Sequence, residues 1–188
     1  MIIIWLLFIA TVAVTVGAIG AGALVKRLWV AKYLELKKDL RYAEMERDSC
    51  RTWFLLTQRG ISIREYFSAH GYDRIGVLGM EWLGRRTVDE LGETVICAVE
   101  ADNFAAVHER LTVWRLGDDP LPEVDVILVT DLKRIPEKIK MIRNEFSGSV
   151  VTLTEVLTWL LQEHGIEPRH GAIANWPPKE LLSDHRTE

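Results

Sequence analysis

The chain has few of the side chains that usually carry catalytic chemistry. Its 188 residues include only two cysteines, Cys50 and Cys97, and their spacing matches no metal-binding or redox motif. The five histidines are scattered, and none is paired with a second ligand at the spacing that a metal-binding helix needs. The sequence therefore predicts no metal site and no cysteine chemistry. Two unrelated thiols are typical of a domain in a reducing compartment.

Several enzyme motifs and a basic surplus are missing as well. No G-x-x-x-x-G-K-[ST] phosphate loop and no G-x-S-x-G nucleophile elbow occurs in the sequence. Tyr33 and Lys37 match the spacing of a reductase pair, but they precede the first predicted strand, so we interpret the match as coincidence. The net charge of -4 argues against a nucleic-acid-binding protein, which usually carries a positive surplus.

Residues 2–25 contain no charged side chain. A helix of this length spans about 36 Å, enough to cross a hydrocarbon core of about 30 Å. Lysine and arginine are absent before the run and frequent after it. The positive-inside rule thus predicts a single-pass inner-membrane protein with its N-terminus outside and its C-terminal domain in the cytoplasm. A cleaved signal peptide ending near residues 21–23 is the alternative, but the run is long and lacks a basic start.

Residues 26–72 are predicted to form a membrane-proximal helical region. No proline or glycine occurs from Lys26 to Gln58, and apolar residues recur there at alternating spacings of three and four. We call this set the apolar stripe: Trp29, Tyr33, Leu36, Leu40, Ala43, Cys50 and Phe54, interrupted by Arg47. Docking of the stripe on the globular domain is favoured, and a short parallel coiled coil is the alternative. Ser62 and Glu65 predict the start of a second, short helix.

Residues 73–165 alternate between short apolar runs and amphipathic stretches, which indicates a parallel α/β sheet. The predicted strands are residues 74–78, 93–99, 111–116, 124–130 and 150–153. The predicted helices are residues 82–91, 103–110, 135–146 and 155–164, with Thr154 as the cap of the last one. By analogy with doubly wound folds the strand order is 3-2-1-4-5, a Rossmann-like sheet. Residues 166–188 are predicted to be an irregular tail.

The turn after the first predicted strand has most of a dinucleotide-binding fingerprint. Gly79 and Gly84 stand at the first and third glycine positions of G-x-G-x-x-G, but Glu81 stands at the second. In such a turn the backbone approaches a pyrophosphate at the N-terminus of a helix. Glu81 adds bulk and negative charge at that approach. A turn that keeps the fold without the phosphate is therefore an open alternative to the binding of NAD(P) or another nucleotide.

Three further residues are candidates for the same site. Glu100 follows the second predicted strand, where an acidic residue can bind the ribose hydroxyls of a nucleotide, and Asp102 is a second candidate for that role. Thr130 and Asp131 end the fourth predicted strand, beside the crevice where open α/β sheets bind ligands. Asp131 is equally suited to begin the helix that follows.

The segments "GYDRIGVLGMEWLGRR", "LPEVDVILVT" and "VVTLTEVL" together resemble a known family. They are similar to the small Rossmann-like domains encoded in bacterial surface-polysaccharide and glycosyltransferase gene clusters. The likeness covers about residues 50–157 and implies a nucleotide or NAD(P) ligand held at Gly79, Gly84 and Glu100. Glu81 departs from the family pattern. A more distant likeness is to nucleotide-sensing Rossmann domains that regulate potassium transport.

These observations favour a membrane-anchored nucleotide-binding or vestigial regulatory module that is accessory to envelope polysaccharide synthesis. No catalytic residue is predicted, so we lean against an enzyme. One alternative is an NAD(P)-dependent oxidoreductase or a nucleotide-sugar-modifying enzyme that uses the same crevice. Another is an oligomeric membrane scaffold, because small residues such as Ala13 and Gly17 permit close helix packing in lipid. A polysaccharide-synthesis protein is the other expected partner.

Overall fold

Five strands form one parallel sheet. They are β1 (Ile75–Leu78), β2 (Val95–Glu100), β3 (Val113–Arg115), β4 (Val126–Val129) and β5 (Ser149–Thr152). The computed structural model describes residues 2–101, 111–117, 121–133 and 135–167, with side chains from residue 25 onward. The strands pair in the order β3-β2-β1-β4-β5, and all neighbours are parallel. The predicted α/β class and strand order are confirmed.

The helices connect the strands and precede the sheet. They are α1 (Ile2–Gln58), α2 (Arg64–Ala69), α3 (Trp82–Leu91), α4 (Ile135–Glu145) and α5 (Leu153–Glu163). A 3-10 turn at Gly92–Thr94 leads into β2. The helix predicted at 103–110, the residue Asp102 and the tail beyond residue 167 lie outside the described residues.

The N-terminal part of the chain is helical. The chain divides into two units, residues 1–43 and residues 44–188. The predicted membrane span, residues 2–25, falls almost wholly on residues whose side chains are not described. Among the described residues, none of the helices combines the length and the apolar character that crossing a membrane requires.

The central strands are hydrophobic because both of their faces are covered. All four residues of β1 and all four of β4 are buried, as expected for strands with helices on both faces of a parallel sheet. On one face, Leu78, Val99 and Val129 pack in a cluster with Ile142 of α4. β3 is shorter than predicted and lies at the edge, where its residues are only partly buried or exposed.

The cap of α5 is Thr152, which corrects the prediction of Thr154. The Thr152 hydroxyl accepts a hydrogen bond from the Glu155 backbone N–H at 3.2 Å, and the Glu155 carboxylate accepts one from the Thr152 N–H at 2.6 Å. This reciprocal pair is a capping box. The hydroxyl of Thr154 instead lies buried without a partner. The sequence T-L-T-E offers two threonines before the glutamate, and the residue three positions before Glu155 takes the role.

The end of α1 docks on the sheet domain through a different face from the predicted one. Within residues 44–58, the buried apolar side chains are Met45, Trp53 and Leu56. Phe54, which belongs to the apolar stripe, is 63% exposed. The prediction that the stripe itself docks is therefore wrong for Phe54, although docking of this part of α1 does occur. Phe54 lies about 180° around the helix from the buried Met45, so the two cannot face the same surface.

One carboxylate fastens three segments of this domain together. Glu90, near the end of α3, accepts hydrogen bonds from the Trp53 indole N–H at 2.8 Å, the Ser62 hydroxyl at 2.9 Å and the Ile63 backbone N–H at 3.0 Å. The Arg64 guanidinium adds bonds to the backbone carbonyls of Glu90 and Leu91. Ser62 and Glu65 keep half of the predicted capping box, since the Glu65 carboxylate accepts from the Ser62 N–H.

We predict that Glu90→Ala lowers the free energy of unfolding by about 3 kcal/mol, because it leaves the Trp53 and Ile63 donors without their charged acceptor. Glu93→Ala is the matched control, since Glu93 is exposed, and it should change stability by less than about 0.5 kcal/mol. Urea denaturation of the detergent-solubilised chain measures both. Equal stability of the two variants would show that Glu90 does not hold α1 to the domain.

Candidate functional site

All six predicted site residues lie at the carboxyl edge of the central strands. Gly79 follows β1, Glu81 precedes α3, and Gly84 lies in the first turn of α3. Glu100 ends β2, while Thr130 and Asp131 follow β4. β1 pairs with both β2 and β4, so the order reverses beside the turn. This is the switch point where doubly wound sheets bind ligands.

The two glycines of the turn have the steric roles that the fingerprint assigns to them. Gly79 has a φ of +93°, a left-handed conformation that favours glycine, and a Cβ there would lie 2.6 Å from the Cβ of Asp131. A Cβ on Gly84 would overlap the carbonyl oxygen of Gly79. The helix α3 therefore crosses β1 at a distance that no side chain at residue 84 can fit. This is the helix–strand packing role of the third glycine.

Thr130 holds the turn from the neighbouring strand. Its hydroxyl lies 2.9 Å from the Leu78 carbonyl oxygen and 2.6 Å from that of Gly79, and it is buried. Its backbone N–H also donates to the Leu78 carbonyl at 2.9 Å. Thr130 thus uses its polar atoms to tie β4 to the turn. The structure places Thr130 in the predicted site, where its hydroxyl bonds backbone carbonyls of the turn.

Glu100 binds the turn directly. One carboxylate oxygen accepts a hydrogen bond from the Met80 backbone N–H at 2.7 Å. Met80 is the residue between the first glycine and Glu81, so its N–H belongs to the group of turn amides that would face an anion. The sequence predicts Glu100 at the end of the second strand, and the structure has it there. Its contact with the turn amide was not predicted.

Glu81 stands at the point where the turn becomes the helix. It is extended, with φ -65° and ψ -170°, and its side chain makes no capping hydrogen bond to α3. The carboxylate lies 3.7 Å from the Lys133 ammonium and is 66% exposed. The neighbouring Trp82 is 59% exposed. The Arg85 guanidinium donates a hydrogen bond to the Met80 carbonyl at 3.2 Å.

Lys138 is the site residue that sequence reasoning missed. Its ammonium pairs with the Asp131 carboxylate, and the two side chains are only 7% and 13% exposed. The other Asp131 oxygen accepts from the Lys133 backbone N–H at 2.8 Å. Asp131 therefore closes a turn ahead of α4. The sequence signal was the spacing of seven residues between Asp131 and Lys138. This spacing lets a lysine near the start of α4 reach back to the end of β4.

Two open cavities are lined by described residues, and none of these lining residues belongs to the turn from Gly79 to Gly84. One, of about 540 Å³, is lined by Tyr72, Arg143, Phe146 and residues 147–151, around the start of β5. The other, of about 340 Å³, lies around Glu90, between the end of α1 and α3. Within residues 25–101, 111–117, 121–133 and 135–167, no group of three or more acidic, histidine or cysteine side chains is suited to hold a metal ion.

Neither cysteine is activated as a nucleophile. Burial raises the pKa of the Cys97 thiol to about 11. Burial and, to a smaller extent, the nearby Glu46 carboxylate raise the pKa of Cys50 as well. The thiolate is the reactive form, so both shifts make these side chains less reactive near neutral pH.

Comparison with protein-family models, with curated proteins and with solved structures finds no match to this chain. The description of the fold and of the turn therefore depends on the sequence and structure of this chain alone. The resemblance to Rossmann-like domains of polysaccharide gene clusters stays a prediction from sequence.

We predict that Gly84→Ala costs at least about 3 kcal/mol of stability, because α3 must move away from β1 to admit the methyl group. Gly165→Ala is the control. Gly84 lies in a helix, whereas Gly165 has a positive φ of +60° and nothing within 4 Å of its added Cβ, so Gly165→Ala carries only a backbone cost of about 1 kcal/mol. Denaturation midpoints of the two variants separate the steric term from the conformational one. Similar losses at both positions would contradict a tight crossing at residue 84.

We also predict that iodoacetamide at pH 8 leaves Cys97 unmodified in the folded chain. With its pKa raised from 9.0 to about 11, the thiolate fraction is about a hundredfold lower than in an unperturbed cysteine. Labelling should rise once the pH approaches the raised pKa, or once urea unfolds the domain. Mass spectrometry of the intact chain counts the adducts. Rapid labelling of Cys97 at pH 8 would show that the thiol is accessible and activated.

Proposed function

We propose that this chain is a membrane-anchored, non-catalytic module whose Rossmann-like turn is closed by its own carboxylate. The observation that carries the proposal is the hydrogen bond from the Met80 N–H to Glu100 at 2.7 Å. An amide that would otherwise face a phosphate already has a charged acceptor. The fold is retained, and the anion that the turn would bind is replaced by a side chain.

The local charges support the same proposal. A phosphate at the Met80 amide would have to displace a charged hydrogen bond, which is worth about 1.5–3 kcal/mol. It would also come close to the carboxylates of Glu81 and Glu100. Lys138, the buried cation at this edge, is already engaged with Asp131. Like charges disfavour a second anion in such a site.

The membrane anchor belongs to the proposal on the strength of the sequence. The uncharged run of residues 2–25 and the basic residues that follow it favour a single span with the sheet domain in the cytoplasm. That α1 continues from Ile2 to Gln58 supports a direct helical connection between span and domain. The role in envelope polysaccharide synthesis rests on the sequence resemblance alone.

The position of Glu100 also favours a second candidate function, the binding of a nucleotide through its ribose. An acid at the end of β2 is where ribose hydroxyls are bound in dinucleotide folds. In that case Glu100 would contribute to binding, and the Met80 contact would orient its carboxylate. The two candidates differ in the sign of the effect of removing Glu100, which makes them separable.

The test is calorimetric titration of the full chain in detergent with NAD⁺, NADH, NADP⁺, ADP and a UDP-sugar. The wild-type chain should bind none of them more tightly than about 1 mM. Glu81→Gly combined with Glu100→Ala restores the missing glycine and frees the Met80 amide, and it should bind ADP at least about tenfold more tightly than the wild type. Glu81→Gly combined with Glu93→Ala controls for the loss of a negative charge elsewhere on the domain.

Three results would contradict the proposal of a non-catalytic module with a closed turn. Tight wild-type binding that is lost in Glu100→Ala would establish the ribose function instead. Turnover of any of these compounds would make the chain an enzyme. Equal ADP affinity of the two double variants would show that Glu100 does not block the turn.

A further inference from the structure

The apolar stripe of α1 is exposed over most of its length, with Cys50 partly buried. Four of its residues in the first unit are largely exposed: Trp29 71%, Tyr33 64%, Leu36 67% and Leu40 60%. Phe54 continues the stripe at 63% exposure. Met45 and Leu56, which are buried, lie on the opposite side of the helix from Phe54, and the buried Trp53 lies about 100° from it. Exposed apolar area of this extent usually marks an interaction surface.

The spacing of the stripe is that of a coiled-coil seam. From Trp29 to Phe54 the positions alternate by four and three, which is the a/d repeat of a heptad, with Arg47 at one seam position. One flank of the seam carries Lys32 and Asp39, and the other carries Lys37 and Glu44. All four flanking residues are exposed. In a parallel pair, such flanking charges choose the partner.

A second copy of this chain fits the seam poorly. In a parallel, in-register pair, each residue on the first flank faces the residue on the second flank in the next heptad of the other helix. Lys32 would then face Lys37 of the second copy, and Asp39 would face Glu44. Only Glu46, facing Arg51, would be attracted. Like charges at these positions repel each other and disfavour the homodimer.

We propose that the apolar stripe is the seam for a parallel helix of a different anchored chain. That helix carries acidic side chains opposite Lys32 and Lys37 and basic side chains opposite Asp39 and Glu44. The inference deepens the proposed function by naming the partner's chemistry, and it rests on the membrane anchor, since a common membrane makes the two helices parallel.

The test builds the complementary partner from the chain itself. Substituting Lys32→Glu, Lys37→Glu, Asp39→Lys and Glu44→Lys inverts the flanks without changing the net charge. This inverted chain repels itself in the same way as the wild type, but every inverted contact with the wild type is attractive. Two differently tagged full-length chains are co-expressed, solubilised in mild detergent and recovered through one tag. The fraction of the second tag that is recovered measures pairing.

The mixed pair should be recovered at least about tenfold more than wild type with wild type or inverted with inverted. This is the combined effect of turning several like-charge contacts into opposite-charge ones. A control chain with Glu35→Lys and Lys38→Glu makes the same kinds of change away from the seam, and it should pair with the wild type no better than the wild type does with itself. Urea denaturation shows whether each variant remains folded.

The relative orientation of the two paired helices is measured through Cys50, which lies on the seam. Mild oxidation at alkaline pH, where its thiolate forms despite the raised pKa, should join Cys50 to Cys50 in the mixed pair, as a parallel alignment requires. Each other outcome overturns the proposal. Equal recovery of wild-type pairs makes a second copy the occupant. No recovery above background in any mixture means that the stripe contacts lipid or remains bare.

Fractionation of the same cells tests the anchor separately. A wild-type chain recovered in the soluble fraction would contradict the proposed membrane anchor and with it the parallel alignment. A membrane-bound chain whose mixed pair is no better recovered than its self-pairs would overturn the partner inference alone. The two failures are therefore distinguishable.

Discussion

The close crossing of α3 over β1 is the constraint on which the site depends. A glycine at residue 84 lets the helix contact the Gly79 carbonyl, and the positive φ of Gly79 turns the chain from strand into helix within a few residues. Thr130 then bonds the same carbonyl from β4, and Glu100 reaches the Met80 amide from β2. Because three neighbouring strands meet one turn, the geometry of a ligand site is produced by backbone packing, whether or not a ligand is bound.

Because backbone packing alone forms this turn, its geometry can be kept without a bound phosphate. The first and third glycines are required by backbone conformation and packing, so the fold retains them as long as α3 crosses β1. The second glycine is required only for the approach of a ligand, and here Glu81 stands in its place. Glu100 supplies the negative charge that the helix N-terminus and the turn amides favour. The observed pattern of retained and lost glycines is what a structural role for the turn predicts.

The sequence predicted the parts of the structure that local patterns determine. Strand order and the gathering of Gly79, Glu81, Gly84, Glu100, Thr130 and Asp131 follow from apolar runs, turn residues and the general geometry of parallel sheets. Predictions were wrong where two similar residues competed, as with Thr152 and Thr154, or where tertiary packing chose among helix faces. The contacts of Glu90, of Lys138 and of Glu100 with Met80 join side chains to partners 7 to 37 residues away. The short spacing of Asp131 and Lys138 leaves a signal in the sequence, whereas no local pattern encodes the more distant partners of Glu90 and Glu100.

The choice of docking face on α1 connects the fold to its proposed role. Burial of Trp53 and Leu56 needs the Glu90 carboxylate, which satisfies the indole N–H that would otherwise be buried without an acceptor. Phe54 has no polar atom to satisfy and would be the simpler residue to bury, yet it stays exposed together with Trp29, Leu36 and Leu40. In the proposed pairing, the exposed stripe, apolar except at Arg47, is the face that remains for another helix. The proposal assigns the choice of that helix to the charges on both flanks, because apolar side chains alone cannot distinguish a second copy from a different chain.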